Sequence, residues 1–177
     1  MTYSASQYTL VEPSGLARFS DSSSMASFAN DDKIPMTTTE TLVGSSVASI
    51  AAGVITLPVG YYYLLEGALD IGYNSGSVAS SNTRQIYTQF YDENSTSYIG
   101  TQSYQNGEKG NNFEDIVLLS HDETARVWVD ATASAASVSW RIQTVASSCY
   151  NRSDLLYPKT NPERWVGYTR CLVWRFD

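Results

Sequence analysis

The sequence predicts an all-β domain, an antiparallel sandwich or barrel. Three observations predict it. From Val54 onward, apolar residues recur with a period of two rather than 3.6. Clusters of Asp, Asn, Gly and Ser interrupt that pattern at the roughly 8–12-residue spacing of short strands joined by turns. The composition also belongs to strands and turns, with 25 Ser, 16 Thr and 13 Tyr among 177 residues and only 16% charged. An average domain carries ~25% charged residues, and a long helix or coiled coil needs the Glu, Lys and Leu that are scarce here. Aromatic residues at 12% exclude wholesale disorder.

Residues 1–45 form the first segment. Ser20 to Ser27 is low in complexity, Asp31-Asp32-Lys33-Ile34-Pro35 is a breaker, and Tyr8, Leu10, Leu16, Phe19 and Phe28 follow no sustained period. Such a stretch reads as an extended N-terminal arm whose scattered apolar residues anchor on a partner; a disordered tail is the other reading. Between Thr41 and Gly53, the spacing of Val43, Val47, Ile50 and Val54 fits a short helix capped at Gly53, while the β-branched content fits a first strand.

The strands then follow in order. Ile55 to Ile71 divides at Pro58-Val59-Gly60, with Tyr61, Tyr63, Leu65, Leu69 and Ile71 on one face and Tyr62, Leu64, Glu66, Ala68 and Asp70 on the other. After a loop over 73–82 come strand candidates at Arg84–Tyr91, Ile116–Leu119, Ala125–Asp130, Ser137–Val145 and Tyr168–Phe176. Between them lie the turns Asp92-Glu93-Asn94-Ser95, 106–110 and 120–123. The 147–165 loop is long for a compact domain, and such loops are usually functional or cover a neighbour. Its Tyr157, Arg164 and Trp165 are residue types that dominate interfaces; packing on its own subunit is the alternative.

Charge narrows the function. Eleven basic against 18 acidic residues give −7 and a pI near 4.6, which argues against binding nucleic acid. No apolar run is long enough to span a membrane, and Met1-Thr2-Tyr3-Ser4-Ala5 is no secretory signal. The expected place of synthesis is a cytoplasm, with release by lysis or within a particle. Cys149 and Cys171 make no disulfide framework and read as small buried hydrophobes.

The residue inventory offers little catalysis. His121, the only histidine, sits on a turn beside Asp122 and Glu123, where neighbouring side chains diverge, so it reads as an exposed turn residue. The acidic pairs Asp31-Asp32, Asp92-Glu93, Glu114-Asp115 and Asp122-Glu123 read as solvated turns. Calcium is a more credible use for them than glycoside hydrolysis, although the Asp-x-Asp-x-Asp-Gly spacing is missing. No phosphate-cradling loop or Cys/His metal spacing occurs, so no enzyme activity, metal or cofactor is expected.

The run Val54-Ile55-Thr56-Leu57-Pro58-Val59-Gly60-Tyr61-Tyr62-Tyr63 resembles the start of bacteriophage virion proteins with a trimeric jelly-roll head. Ile99-Gly100-Thr101-Gln102-Ser103-Tyr104 is similar to a later element of the same heads. Trp174-Arg175-Phe176 resembles their closing strand, as in tumour-necrosis-factor-like and complement-type globular domains. The resemblance covers roughly 54–177. It implies an antiparallel jelly-roll β-sandwich over 46–177 behind the arm, assembled as a homotrimer through aromatic faces, with no catalytic residues to carry over. Tyr61, Tyr63, Leu65, Trp174 and Phe176 are the candidate trimer-interface residues, since the 61–71 run has large residues on both faces. A monomeric sandwich with tyrosines at its surface is the plainer alternative. The expected function is a non-enzymatic virion protein that decorates and cements a capsid, with itself and the major capsid protein as partners. Tyr8, Leu10, Leu16, Phe19, Phe28, Tyr157, Arg164 and Trp165 are the candidate contacts with the capsid. The receptor-binding tip of a tail or head fibre is the alternative.

Overall fold

The computed structural model describes residues 11–20, 29–36, 38–69, 71–73, 84–107, 124–145, 149–151 and 169–177. Over these residues the chain is all-β, without a helix. Twelve strands form: β1 (Gly15–Ser20), β2 (Thr38–Val43), β3 (Ser49–Ala51), β4 (Val54–Leu57), β5 (Tyr62–Ala68), β6 (Ile71–Tyr73), β7 (Arg84–Asp92), β8 (Ser97–Gly107), β9 (Ala125–Asp130), β10 (Ala136–Val145), β11 (Cys149–Asn151) and β12 (Arg170–Phe176). Ten of them make one antiparallel sheet in the order β2-β1-β12-β5-β9-β8-β7-β10-β4-β3, while β6 and β11 pair separately. The two halves of the large sheet join through one residue pair, Thr101 with Arg126. The sheet curls until it nearly closes as a barrel.

Alternation decides what the sheet encloses. Tyr63 and Leu65 on β5, Val127 on β9 and Cys171 and Val173 on β12 point inward from one half; Ile55 and Leu57 on β4, Phe90 on β7 and Val138, Trp140 and Ile142 on β10 point inward from the other. Together they form a single buried cluster. Trp140 is fully buried, stacks near Phe90 with ring centroids 6.2 Å apart, and donates its indole N–H to Thr88 Oγ1 at 2.8 Å. Thr88 in turn shares a hydrogen bond with Ser103 of β8. These three buried polar groups therefore satisfy one another, as buried polar groups require.

Strand periodicity located β4, β7, β9, β10 and β12 to within two residues at each end; β5 starts where expected but stops at Ala68, and Ile71, expected in the same run, begins β6. The 41–53 stretch is resolved in favour of strands. Val47 is buried, β3 and β4 form a hairpin, and Ala52 and Gly53 at its tip both take positive φ, 49° and 75°. That is the two-residue turn whose twist suits a hairpin, so Gly53 turns a hairpin rather than capping a helix.

The expected arm of residues 1–45 is, over its described part, built into the sheet. β1 pairs with β12 along its whole length, β2 pairs with β1, and Phe19 is fully buried in the core with Ile34 and Met36. The physical reason is a short alternation, Leu16-Ala17-Arg18-Phe19, whose inward members Ala17 and Phe19 both reach zero exposure. β8 also lies outside the expected strands, because Gly100, Gln102 and Ser103 interrupt its apolar alternation. Gly100 is required there: φ is +75°, and a Cβ would come 2.1 Å from the Arg126 carbonyl oxygen. The 116–119 strand, most of the 73–82 loop, His121 and nearly all of the 147–165 loop lie outside the described residues.

Candidate functional site

The outward face of β2-β1-β12-β5-β9 carries the most unusual chemistry of the described surface. Residues directly opposite one another on neighbouring strands project to the same side, so the register can be read as rows. One row runs Val43, Leu16, Trp174, Leu64, Trp128 across all five strands without a polar member. Trp128 is 63% exposed and Val43 52%. Next to it, Phe176 and Tyr62 continue the apolar surface before Asp130, and Tyr62 is 46% exposed. Trp128 and Phe176 meet diagonally over β5, ring centroids 5.2 Å apart.

On the other side lies a charged row: Glu40, Arg18, Leu172, Glu66, Arg126. Arg18 pairs with Glu40. Glu66 accepts from the Arg126 Nε at 2.8 Å and from the Trp174 indole N–H at 3.0 Å. Both carboxylate oxygens of Glu66 are thereby engaged within the face, one of them by the apolar row's own Trp174. Monomeric proteins rarely leave such a contiguous apolar patch in water, and patches of this kind mark interaction sites.

The interface candidates from sequence divide between the two faces. Trp174 and Phe176 are half-buried members of the outward face. Tyr63 and Leu65 have no exposed surface at all; they fill this subunit's own core and offer nothing to a neighbour. The reason lies in their strand: Glu66 turns outward with Tyr62 and Leu64, so the uncharged face holding Tyr63 and Leu65 becomes the inner one. Tyr61 is half-buried beneath the Arg175 guanidinium, 4.5 Å from its ring centroid, and sits edge-on to Tyr63.

Of the capsid-contact candidates, Leu16 belongs to the apolar row and Phe19 to the core. Tyr8, Leu10, Phe28, Tyr157, Arg164 and Trp165 lie outside the described residues. Trp128, Leu64 and Val43 are the members that sequence reasoning missed. For Trp128 a signal existed: with Ala125 and Val127 inward, the next residue places an indole on the opposite, outward face.

The opposite half of the sheet presents a polar face. Gln102 donates to Gln143, Gln143 donates to Gln89 at 2.5 Å, and Gln89 donates to the Gly100 carbonyl at 2.7 Å. Beside this amide chain, Arg141 stacks over Tyr91 at 3.8 Å and bonds Glu93, which also pairs with Lys33. Tyr98 donates to Asp31, and burial together with that carboxylate pushes its phenol up to about 12.

Among the described residues no group of three or more His, Cys, Asp or Glu is arranged to hold a metal ion, and no helix is long and apolar enough to cross a membrane. Cys171 is a buried free thiol on β12, and burial pushes its pKa up, away from nucleophilic use. No protein-family model matches the chain, and no curated protein matches it significantly in sequence.

Proposed function

We propose that this chain is a non-enzymatic structural protein of a bacteriophage virion. Its subunits are jelly rolls that assemble as a homotrimer, and the trimer decorates and cements the capsid. The observation that carries this reading is the unbroken apolar row from Val43 to Trp128, a surface suited to burial against a like subunit. The strand order supports the jelly roll. Leaving out the short edge strands β2 and β3, the remaining eight of the large sheet run first-eighth-third-sixth in one half and second-seventh-fourth-fifth in the other. That is the wrapping of two Greek keys. The resemblance of the 54–63 and 174–176 runs to trimeric virion heads supports the biological setting.

In this reading the partners are two further copies and the major capsid protein, with no role for nucleic acid or membrane. A threefold particle suits cementing, because three weak contacts become intramolecular once the first is made. The receptor-binding tip of a fibre is the second reading. The Tyr/Gln face of β7, β8 and β10 favours it, since tyrosine and amide side chains make adaptable binding surfaces.

Native mass measurement tests the assembly: three chains are expected, and a single chain at micromolar concentration overturns the proposal. Trp128→Ser, at an exposed position, is expected to leave the fold intact and shift the mass toward one chain. Added trimer is then expected to bind expanded capsids and raise their melting temperature. Binding to host cells without binding to capsids would favour the fibre tip instead.

A further inference from the structure

We infer that the copies close head to tail, the Glu40–Val43 end of one outward face meeting the Arg126–Trp128 end of the next. This rests on the trimer reading and goes beyond it by naming the two halves of the junction. A closed ring of three needs a heterologous interface, in which two different patches of the same chain meet. The outward face supplies two such patches at opposite ends. Five strands spaced ~4.8 Å apart set them about 19 Å from each other, too far for the two ends of one chain to touch.

Two features of the rows select this junction. The first is that both rows are polarised. The apolar row ends in Val43 on β2, the outermost described strand, and in Trp128 on β9, next to the single-pair seam with β8. These ends are its most exposed members, at 52% and 63%. The charged row begins with an acid, Glu40, and ends with a base, Arg126, whose side chains are 46% and 59% exposed. With the threefold axis along the strands, each row stays level from copy to copy. Head-to-tail closure then sets Val43 beside Trp128 and Glu40 beside Arg126. Edge-to-edge twofold contacts would instead set Arg126 against Arg126 or Glu40 against Glu40, and like charges in contact select against such pairings.

The second feature is net charge. The whole chain carries −7, so like charge works against bringing two copies together unless the contact itself is balanced. Among the described residues of the outward face such a balance holds: Arg18, Arg126 and Arg170 offset Glu40, Glu66 and Asp130. A second copy of this chain is therefore the occupant best matched to it. An edge strand with two exposed apolar residues in sequence, Leu42 at 45% and Val43 at 52%, is also the kind of edge that natural proteins cover.

Thiol crosslinking tests the junction without touching the apolar row. The double variant Glu40→Cys/Arg126→Cys, each single variant and the unsubstituted chain are treated with a short bismaleimide after their native masses are taken. The unsubstituted chain sets the background from native cysteines. The double variant is expected to give covalent trimer as its end product, each single variant to stay at background, and a mixture of the two singles to give a one-to-one crosslinked dimer. Loss of the trimer on replacing either residue, with Arg170→Cys still trimeric, would support the same junction, because only the row ends have changed. Single variants that crosslink as fully as the double, or a trimeric double variant that stays uncrosslinked, would overturn it. A monomeric unsubstituted chain would remove the trimer reading itself, an outcome distinct from a trimer joined elsewhere.

Discussion

Gly67 of β5 and Trp140 of β10 touch across the core: a Cβ built on Gly67 would come 2.6 Å from the indole Cε2 and 2.8 Å from Cζ2. The two halves of the sheet approach here as closely as backbone and ring allow. A Gly→Ala exchange elsewhere in a strand gains about 0.4–1 kcal/mol by restricting the unfolded chain. Here overpacking costs about 1–3 kcal/mol, and the indole cannot yield, being fully buried and hydrogen-bonded to Thr88. The cost wins. Gly67→Ala is expected to lower the urea midpoint at unchanged m-value, and a neutral or stabilised variant would show that the core has slack.

The indole N–H of Trp140 has Thr88 Oγ1 as its partner, and Thr88 bonds Ser103. Thr88→Val keeps the shape but strands the indole donor and the Ser103 hydroxyl in the core. Leaving a buried donor unpaired costs about 1–3 kcal/mol. In a Trp140→Phe background the donor is already gone, so the same substitution should cost less. A double-mutant cycle by denaturant unfolding is expected to give a coupling energy of about 1 kcal/mol or more. Additive effects would mean that the hydrogen bond contributes nothing net.

These contacts also explain which parts of the molecule could be read in advance. Local alternation is enough to find β5, β9 and β12, because Tyr63-Leu64-Leu65-Glu66 and Arg126-Val127-Trp128-Val129 declare their period within four residues. β2 is an edge strand and β1 its neighbour, six residues each, and their pairing is bulged between Leu16 and Ala17, so five apolar residues over two strands never build a sustained period. The candidate site is harder still. Its row joins residues 16, 43, 64, 128 and 174, and only the order of strands in the sheet brings them together. Sequence could name Trp174 as an aromatic without saying that Trp128 lies in the same row.

Glu93 makes the fold sensitive to acid. Burial alone would raise its pKa, but hydrogen bonds from Ser139, Arg141 and Lys33 outweigh that and hold it down at about 2. A carboxyl with a depressed folded-state pKa stabilises the fold above its unfolded value, and that contribution is lost as pH falls through the folded one. Stability should therefore decline from about pH 4.5 to about pH 2 as Glu93 takes up its proton. Asp92, whose pKa is also lowered by Ser95 and by the turn backbone against its burial, adds to the decline. Glu93→Gln is expected to be less stable at pH 7 and to converge on the unsubstituted chain near pH 2. Parallel stability curves across that range would place the acid sensitivity elsewhere.

Arg175 fastens the first two strands to the rest of the sheet. Its Nε donates to Ser14 Oγ, one terminal nitrogen donates to the Ser14 carbonyl and the other to the Ser45 carbonyl, all at 3.2 Å, while the guanidinium lies over Tyr61. Ser14 precedes β1 and Ser45 follows β2, so one planar group holds both ends of the two-strand flank. Lysine keeps the charge but not the fork: an ammonium on a flexible stem cannot span both segments and stack at once. Charge-assisted hydrogen bonds are worth about 1.5–3 kcal/mol each at most, and partial exposure reduces that, so Arg175→Lys should cost about 1–2 kcal/mol. The loss should be local, with faster amide exchange over 15–20 and 38–43 and unchanged exchange in β9 and β10. Because the flank carries Leu16, Val43 and Glu40, the same variant should also weaken trimer formation, although Arg175 lies outside the rows of the outward face. Faster exchange in the flank without weaker assembly would show that β1 and β2 contribute nothing to the contact between copies.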